Sequence, residues 1–427
     1  MRVYCETYGC TMNKGDSELM LGHLVKAGHL IVESPDDADL IIVNTCAVKG
    51  PTLRRVLRRL EVLRQLDGKK LVVAGCLPLI DPKSLDLIGP IDGVVPCRSV
   101  GSISKVVDKI AEGGTNVCAI GETREKVCVP KLRSSRVSAI VPISEGCVSN
   151  CSYCAVKLAR GRLRSFDKDK ILTEIGEAVR SGRREILLTA QDTGAYGVER
   201  GESLPELLQE ISEIDGKFKV RIGMMNPATA KPILRELIDA FESEKIYKFL
   251  HLPVQSGDDS VLRKMRRNYT VEEFLRIVKR FKDKFSNLYF ATDVIVGFPG
   301  ESEEAFQNTC KLIEKIRPDK VNVTRFSPMP GTEAAKMRPQ IDGREKKRRS
   351  RLLSAMCKEI GRERNMPYVG RVEEGLVVEP GTKGGYIVRL SNYKPVIVRE
   401  ARMGDFVKVK ITEARHTYLL GELEVDE

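Results

Sequence analysis

Three cysteines close together on one short segment are the residues most clearly suited to chemistry. Cys147, Cys151 and Cys154 have the spacing C-x3-C-x2-C within SEGCVSNCSYCAV. Three thiolates on one loop can bind three irons of a 4Fe-4S cluster, which leaves the fourth iron without a protein ligand. An open iron binds a small molecule directly, so the segment predicts a cluster that holds its own substrate.

Zinc and simple burial are the alternatives for these three cysteines. A zinc site normally has a fourth Cys or His ligand nearby, and the closest histidine downstream is His251. The spacing therefore favours the cluster, while both alternatives stay open.

A second set of cysteines follows three predicted strands of the N-terminal region. Cys10, Cys46 and Cys76 end the segments YGC, NTC and AGC. The carboxyl ends of parallel strands lie at one edge of a sheet, where α/β folds bind ligands. Each cysteine alone is also compatible with ordinary burial. Their shared position favours a second three-cysteine cluster, again with one open iron.

The other six cysteines share no such pattern. We expect core packing for those on strand or helical patterns, namely Cys5, Cys310 and Cys357, and assign nothing to Cys97, Cys118 and Cys128.

The elements around the first cysteine set predict an α/β protein. Residues 1–125 alternate apolar strands (VYCETYG, LIIVNTC, LVVAGC) with amphipathic helices, which indicates an N-terminal open parallel α/β sheet. The predicted helices are 14–27, 51–66 and 101–113.

Residues 135–365 predict a second domain that contains six β/α units. Such a series suits a partial (β/α)6 barrel with its chemistry at the carboxyl ends of the strands. The expected strands lie near 137–144, 185–191, 219–225, 248–254, 288–297 and 320–327. Residues 366–427 then read as a small antiparallel β-barrel, after a strongly basic helix that starts near 342.

Composition limits the partners and the location. The net charge of +12 favours a polyanion such as RNA or DNA, although a merely well-solvated basic protein remains open. No apolar run reaches the roughly 20 residues of a membrane span, and the N-terminus lacks a secretion signal. We therefore expect a cytoplasmic protein without a membrane partner, in which twelve cysteines serve metal binding, redox chemistry or burial rather than disulfides.

The two cysteine sets and the small basic barrel resemble the methylthiotransferase family of radical S-adenosylmethionine (SAM) enzymes over essentially the whole chain. The C-terminal barrel is similar to a TRAM domain, an RNA-binding module of OB-like build. The opening TYGCTMNKGDSE looks most like the archaeal and eukaryotic branch that acts on N6-threonylcarbamoyladenosine (t6A). Further family-like segments are ARGRLRS (159–165), AQDTGAYG (190–197), HLPVQSGDDSVLRKMRR (251–267), TDVIVGFPGES (292–302) and FSPMPGTEA (326–334).

The resemblance implies a reaction with two 4Fe-4S clusters and two SAM molecules. One SAM methylates a sulfur on the open iron of the Cys10/Cys46/Cys76 cluster, and the other yields a 5′-deoxyadenosyl radical at the Cys147/Cys151/Cys154 cluster. The product is C2-methylthiolated t6A (ms2t6A) at position 37 of tRNA. Radical attack suits this carbon because its aromatic C–H bond cannot usefully be deprotonated at neutral pH.

The resemblance also suggests residues that contact SAM. Tyr153 occupies the aromatic position before the last cysteine, where the superfamily packs an aromatic ring beside the SAM adenine. Gln191 and Asp192 are placed to bind the amino-acid or ribose groups, with helix capping by Asp192 as the alternative. Arg221 and Gln255 are further pocket candidates at predicted strand ends, and His251 is either a pocket residue or a structural one.

Basic residues suggest where RNA binds. We expect phosphate contacts from the arginines directly after the radical cysteines and from the basic strands of the last domain. The arginine-rich helix 53–66 reads equally well as a solvated surface. The candidates are Arg160, Arg162 and Arg164 in the first group and Lys394, Arg399, Arg402, Lys408 and Lys410 in the second.

The leading hypothesis is a methylthiotransferase that binds the anticodon stem-loop of tRNA. One alternative keeps the chemistry but acts on i6A37 of tRNA or on an aspartate of a ribosomal protein. Another is a noncatalytic RNA-binding protein that holds zinc or a single structural cluster. The sequence identifies neither the electron donor nor the sulfur source.

Overall fold

A six-stranded parallel sheet forms the N-terminal part of the chain. The computed structural model describes residues 1–47 and 50–424, so positions 425–427 of the predicted third domain lie outside it. The strand order is β2-β1-β3-β4-β5-β6. The strands are β1 (Arg2–Thr7), β2 (Leu30–Ile31), β3 (Leu40–Thr45), β4 (Lys70–Gly75), β5 (Gly93–Pro96) and β6 (Val117–Cys118).

Helices cover both faces of this sheet. Consequently β3 is buried along its whole length, as expected for a central parallel strand rich in Ile, Leu and Val. The three predicted helices are confirmed within a few residues. The helices are α1 (Thr11–Lys26), α2 (Gly50–Arg64), α3 (Leu77–Ile80), α4 (Lys83–Asp86) and α5 (Ile103–Ala111).

The central part is an open barrel of six parallel strands in two halves. The sheets β11-β10-β7 and β12-β13-β14 are joined by one bridge between Val220 and Ile246. All six predicted strands are present. The strands are β7 (Ser138–Pro142), β8 (Ser144–Glu145), β9 (Arg164–Ser165), β10 (Glu185–Thr189), β11 (Lys219–Arg221), β12 (Phe249–His251), β13 (Tyr289–Val296) and β14 (Lys320–Arg325), with β8 and β9 forming a separate hairpin-like pair.

The helices of the central part pack outside the strands. Ile186 and Leu188 of β10 point outward into the hydrophobic core between the strands and these helices. Since side chains alternate along a strand, Glu185 and Leu187 face the barrel interior. The helices are α6 (Val156–Arg160), α7 (Lys168–Arg180), α8 (Leu204–Glu213), α9 (Pro227–Ala230), α10 (Leu234–Ala240), α11 (Asp259–Lys264), α12 (Val271–Lys284), α13 (Glu303–Ile316) and α14 (Gly343–Asn365).

A closed five-stranded barrel completes the chain. Its strand order is β15-β16-β17-β19-β18, and the pair β17–β19 is parallel while the other pairs are antiparallel. The strands are β15 (Val372–Pro380), β16 (Tyr386–Leu390), β17 (Pro395–Val398), β18 (Phe406–Ala414) and β19 (Leu419–Leu423).

The turn between β16 and β17 packs against the central barrel at the start of β12. The Tyr393 ring lies 5.0 Å from the rings of both Tyr247 and Phe249, and the Lys248 amide donates to the Ser391 carbonyl at 3.0 Å. The small barrel is therefore fixed against the central one by apolar and backbone contacts. No helix of the described residues is long and apolar enough to span a bilayer.

Lys394 of this turn corrects one RNA-binding prediction. Its side chain is 0% exposed, and its ammonium pairs with Asp319 at 2.9 Å and donates to Asn365. Because the ammonium is enclosed between the two barrels, it cannot reach RNA, and the prediction is wrong for Lys394.

Candidate active site

The three radical-site cysteines line one cavity. Cys147, Cys151 and Cys154 follow β7 and β8 along the chain and line a cavity of about 300 Å³. Within the described residues, no three Cys, His, Asp or Glu side chains are close enough together to hold a single metal ion. Three thiols around a wider cavity fit the donor set of an iron–sulfur cluster.

Burial favours the protonated form of two of these thiols. It raises the pKa of the Cys154 thiol to about 12, and burial together with the Asp192 charge raises that of Cys147. Metal ligation deprotonates a thiol outright, so cluster binding must release protons here.

The cysteine loop is fastened to the segments that follow β10 and β11 and to the end of α11. The Gly146 amide donates to Gln191 Oε1 at 2.7 Å, and Asn226 Nδ2 donates to Ser149 Oγ at 3.0 Å. The Ser152 hydroxyl donates to the Lys264 carbonyl at 2.7 Å. Gly146 is required because its φ is 86° and a Cβ would lie 2.0 Å from a carbonyl oxygen. The loop is thus preorganised before any cofactor arrives.

Asp192 lies just after the end of β10, and the residue is only 2% exposed. It accepts the Asn226 amide at 2.9 Å and the Thr229 hydroxyl at 3.0 Å. It makes no side-chain cap on the short 3-10 turn that follows it. Burial raises the pKa of Asp192 to about 6, so its charge is sensitive to the surroundings.

Arg267 is a site residue that the sequence reasoning missed. Its Nη1 lies 3.5 Å from Cys151 Sγ, and its other nitrogens donate to the Pro253 carbonyl and the Tyr269 hydroxyl. A partly buried guanidinium here stabilises thiolate charge. The available signal was its place at the end of the family-like segment 251–267, where KMRR reads as surface charge.

Tyr153 and Gln255, two of the predicted SAM contacts, have different surroundings. Tyr153 packs beside Val261 and Phe298, and burial raises its pKa. Gln255 is buried with a left-handed φ of 71°, and its amide donates to the Asp293 carbonyl at 2.8 Å. A non-glycine residue in that conformation is typical of a functional site.

The second cysteine set converges around Asn13. Its Oδ1 lies 3.7 Å from Cys10 Sγ and 3.9 Å from Cys76 Sγ. A Cβ on Gly9 would lie 2.6 Å from Cys46 Cβ. Glycine at this position therefore allows the segments after β1 and β3 to approach each other. Three thiols from three strand ends again fit the donor set of a cluster.

Arg160 is the second correction among the predicted RNA contacts. The residue is 4% exposed, and its Nη2 donates to Asn13 Oδ1 at 2.8 Å and approaches Cys76 Sγ at 3.8 Å. Its Nη1 donates to Glu145 Oε1 at 2.7 Å. The guanidinium faces the N-terminal cysteines instead of solvent, because α6 ends against the edge of the N-terminal sheet.

A buried charge network joins the two cysteine sets. Lys126 is 1% exposed and pairs at 2.8 Å with both Asp16 and Glu145. Arg160 Nη1 lies 2.7 Å from Asp16 Oδ2, a close ion pair without hydrogen-bond alignment. Two cations balance two carboxylates, with Asp16 on the helix after Cys10 and Glu145 two residues before Cys147. We call these four residues the buried charge network.

Cys97 is a fourth thiol at the edge of the N-terminal sheet. It follows β5, is 0% exposed, and its sulfur lies 3.3 Å from the Ala159 carbonyl. A hydrogen bond from Cys97 lowers the pKa of Cys76 and raises its own. Its strand was too short to be predicted, so its strand-end position was not recognised.

Among the remaining RNA-binding candidates, Arg164 contacts other protein groups and the others are exposed. Arg164 donates to the Thr123 carbonyl at 2.8 Å and lies within 4 Å of Glu122 and Glu145. Those on the surface are Arg162, Arg399, Arg402, Lys408 and Lys410.

The arginine-rich helix α2 borders a surface groove. This cavity, of about 770 Å³, lies between β1 and α2. Arg59 is paired with Glu6, and Arg55 stacks over Tyr8 at 5.4 Å. Neither a solvated surface nor RNA contact is favoured by this arrangement.

Arg221 and His251 lie inside the central barrel. Arg221 is the last residue of β11, as predicted, and pairs with Leu187 in the middle of β10. It lines a cavity that does not include the radical-site cysteines. His251 Nε2 lies 3.1 Å from Asp293 Oδ1.

Comparison with known proteins places these features in families. Residues 141–313 match the Radical SAM superfamily, residues 2–95 match the uncharacterized protein family UPF0004, and residues 367–423 match the TRAM domain. A solved radical SAM methyltransferase, TsrM from Kitasatospora setae, covers 78% of this chain and is itself covered to 76%, with a TM-score of 0.59. At 15% identity it shows the fold alone.

Full-length relatives share much more sequence. The probable threonylcarbamoyladenosine tRNA methylthiotransferase of Pyrococcus horikoshii is 46% identical, over 99% of both chains. That of Archaeoglobus fulgidus is 46% identical over 100% of both chains. The human threonylcarbamoyladenosine tRNA methylthiotransferase is 34% identical over 99% of this chain and 74% of its own. The chain therefore belongs to the threonylcarbamoyladenosine tRNA methylthiotransferase family of radical SAM enzymes.

Proposed function

We propose that this enzyme methylthiolates C2 of t6A at position 37 of tRNA to give ms2t6A, using two 4Fe-4S clusters and two SAM molecules. The observation that carries the proposal is the pair of three-cysteine sets joined by the buried charge network. An enzyme with only one cluster would have no evident need for a second set of thiols held so close to the first.

The loop after β8 would hold the radical-generating cluster. Cys147, Cys151 and Cys154 supply its three ligands, and a cluster bound there would supply the electron that cleaves SAM. Gln191 orients the loop through the Gly146 amide, while Arg267 offsets thiolate charge at Cys151. Tyr153, Asp192 and Gln255 are the proposed SAM contacts.

The edge of the N-terminal sheet would hold the second cluster through Cys10, Cys46 and Cys76. Asn13 keeps two of these thiols at similar distances from one amide oxygen. Arg160 brings a cation from the central barrel to the same amide and to Cys76. The two sites are therefore held in a fixed relation, which a transfer between them requires.

The substrate proposal rests on charge and on the relatives. Exposed basic residues of the TRAM barrel suit the looped RNA of an anticodon stem. The names of the full-length relatives specify threonylcarbamoyladenosine, which favours t6A over i6A or a ribosomal-protein aspartate.

Anaerobic reconstitution tests the proposal. The protein is incubated with t6A-containing tRNA, SAM, sulfide and reductant, and the nucleosides are analysed by mass spectrometry. We expect ms2t6A from the wild type and none from Cys10→Ala or Cys151→Ala, with Cys118→Ala, an exposed cysteine outside both sets, as the control. Turnover of i6A-tRNA or a ribosomal protein but not of t6A-tRNA would contradict the substrate assignment.

A further inference from the structure

A cavity of about 700 Å³ lies where the three parts of the chain meet. Thr11 and Lys14 of α1 form one wall, and Arg221 forms another within the central barrel. Arg389 and Tyr393 close it from the TRAM barrel. It is thus separate from the cavity of the radical-site cysteines but lined by every unit that the proposed reaction uses.

Arg221 is the unusual residue in this cavity. Its guanidinium lies 6.0 Å from the Phe249 ring and 5.8 Å from the Tyr393 ring, so aromatic faces hold it in place. Among the described residues its guanidinium makes no hydrogen bond and no ion pair within 4 Å, and its Nε is fully buried. A fixed guanidinium with unused donors is suited to bind a carboxylate or a phosphate.

The acidic groups of the cavity each have other polar partners. Glu18 is held by Arg133 and Ser134, and Glu379 pairs with Arg389 at 3.3 Å. The remaining carboxyl, Glu185, accepts hydrogen bonds from Ser138 and Tyr247; burial raises its pKa, and the charges of Arg389 and Arg221 oppose that rise. With Lys14 and Arg136, the cations that line the cavity outnumber its carboxyl groups, so the cavity favours an anion.

The cavity also lies within reach of both cysteine sets. Lys14 is on the first turn of α1, and its amide donates to the Cys10 carbonyl at 3.2 Å. Leu187 lines the cavity, and Gln191, which fastens the cysteine loop, lies four residues further along the chain, about 13 Å in extended backbone. A nucleotide that reacts between the clusters can therefore extend an anionic group into the cavity.

We propose that Arg221 binds an oxyanion of the RNA substrate, supplied by the threonyl carboxylate of t6A or by a backbone phosphate of the anticodon loop. This inference rests on the proposed function. It gives Arg221 a role in substrate binding rather than the SAM contact expected from its position near a strand end.

Binding measurements without reductant test the inference, since no turnover occurs. Fluorescence anisotropy of the reconstituted full-length enzyme is measured with three anticodon stem-loop RNAs. They carry t6A, unmodified adenosine, or t6A with its carboxylate blocked as a methyl ester. The variants are Arg221→Gln and Arg221→Lys, with Arg235→Gln on the exposed side of α10 as the matched control.

If the carboxylate is the ligand, Arg221→Gln weakens binding of t6A RNA alone by about 10- to 100-fold, as loss of a charge-assisted hydrogen bond does. Arg221→Lys, which keeps the charge but not the fork, recovers part of this loss. If a phosphate is the ligand, Arg221→Gln weakens all three RNAs equally. Both results support the inference, provided that the variant melts at the wild-type temperature.

Unchanged binding of all three RNAs to Arg221→Gln would overturn the inference. This failure is distinct from failure of the proposed function. A wild-type enzyme that makes no ms2t6A refutes the proposed function. If the wild type makes ms2t6A but Arg221→Gln binds all three RNAs normally, only the role of Arg221 is refuted.

Discussion

Arg160 makes all of its polar contacts with side chains of the two regions that carry the cysteine sets. Asn13 and Cys76 belong to the N-terminal sheet edge, while Glu145 directly precedes the radical-site loop. Removing one partner from a buried ion network leaves the others unpaired in a medium of low polarity. The residue therefore combines a structural role with a position beside the Cys76 sulfur.

Arg160→Gln should destabilise the protein by about 3–5 kcal/mol, because Asp16 and Glu145 then share only Lys126. The exposed Arg162→Gln, two residues away, is the matched control and should change stability by less than about 0.5 kcal/mol. Chemical denaturation of both variants measures the difference. Equal stability of the two would contradict the buried charge network.

Asp192 predicts a pH dependence of stability. Burial raises its pKa to about 6 from a usual value of 3.8, so the folded state binds the proton more tightly than the unfolded state. The stabilising proton is fully present below about pH 4 and is lost as the pH rises through 6, a change of about 3 kcal/mol. Denaturation of the cofactor-free protein between pH 4 and 7 should show wild-type stability falling relative to Asp192→Asn. Parallel pH profiles would contradict this prediction.

At the scale of elements, the positions of most strand ends could be predicted from the sequence. Which charged side chains are buried between the parts of the chain could not. Alternating apolar runs located the strands that carry both cysteine sets. Strands β2, β5 and β6 were missed because they have two to four residues, and this hid the strand-end position of Cys97. Arg160 and Lys394 read as surface cations, because only the contact between separate parts of the chain encloses them.

The TRAM barrel offers a test that separates structural from RNA-binding lysines. Lys394→Met removes the buried partner of Asp319 and should destabilise the protein by about 3–5 kcal/mol, measured by denaturation. The exposed Lys410→Ala is the control and should leave stability unchanged. If Lys394→Met leaves the free energy of unfolding unchanged, the interface between the barrels does not depend on this ion pair.

Exposed cations of the same barrel should act on RNA alone. Arg399→Ala combined with Lys410→Ala should weaken tRNA binding and reduce the slope of log affinity against log salt by about 2, since two phosphate contacts are lost. Binding titrations at several salt concentrations measure the slope. An unchanged slope would place the RNA on another surface.

At the scale of the whole molecule, the proposed reaction depends on contacts between parts that are distant in sequence. The N-terminal sheet, the open barrel and the TRAM barrel meet around the cavity that contains Arg221, and the buried charge network lies at the junction of the first two. The family-like segments indicated the parts, whereas their arrangement around a shared site emerged only from the structure.

We propose that the chain holds two clusters, one on each cysteine set. Iron and sulfide content, together with Mössbauer spectra of the anaerobically reconstituted protein, measures the number and type of clusters. We expect two 4Fe-4S clusters per wild-type chain, one after replacement of Cys10, Cys46 and Cys76 by alanine, and one after replacement of Cys147, Cys151 and Cys154. A single cluster in the wild type, or no loss of iron from the first triple variant, would contradict it.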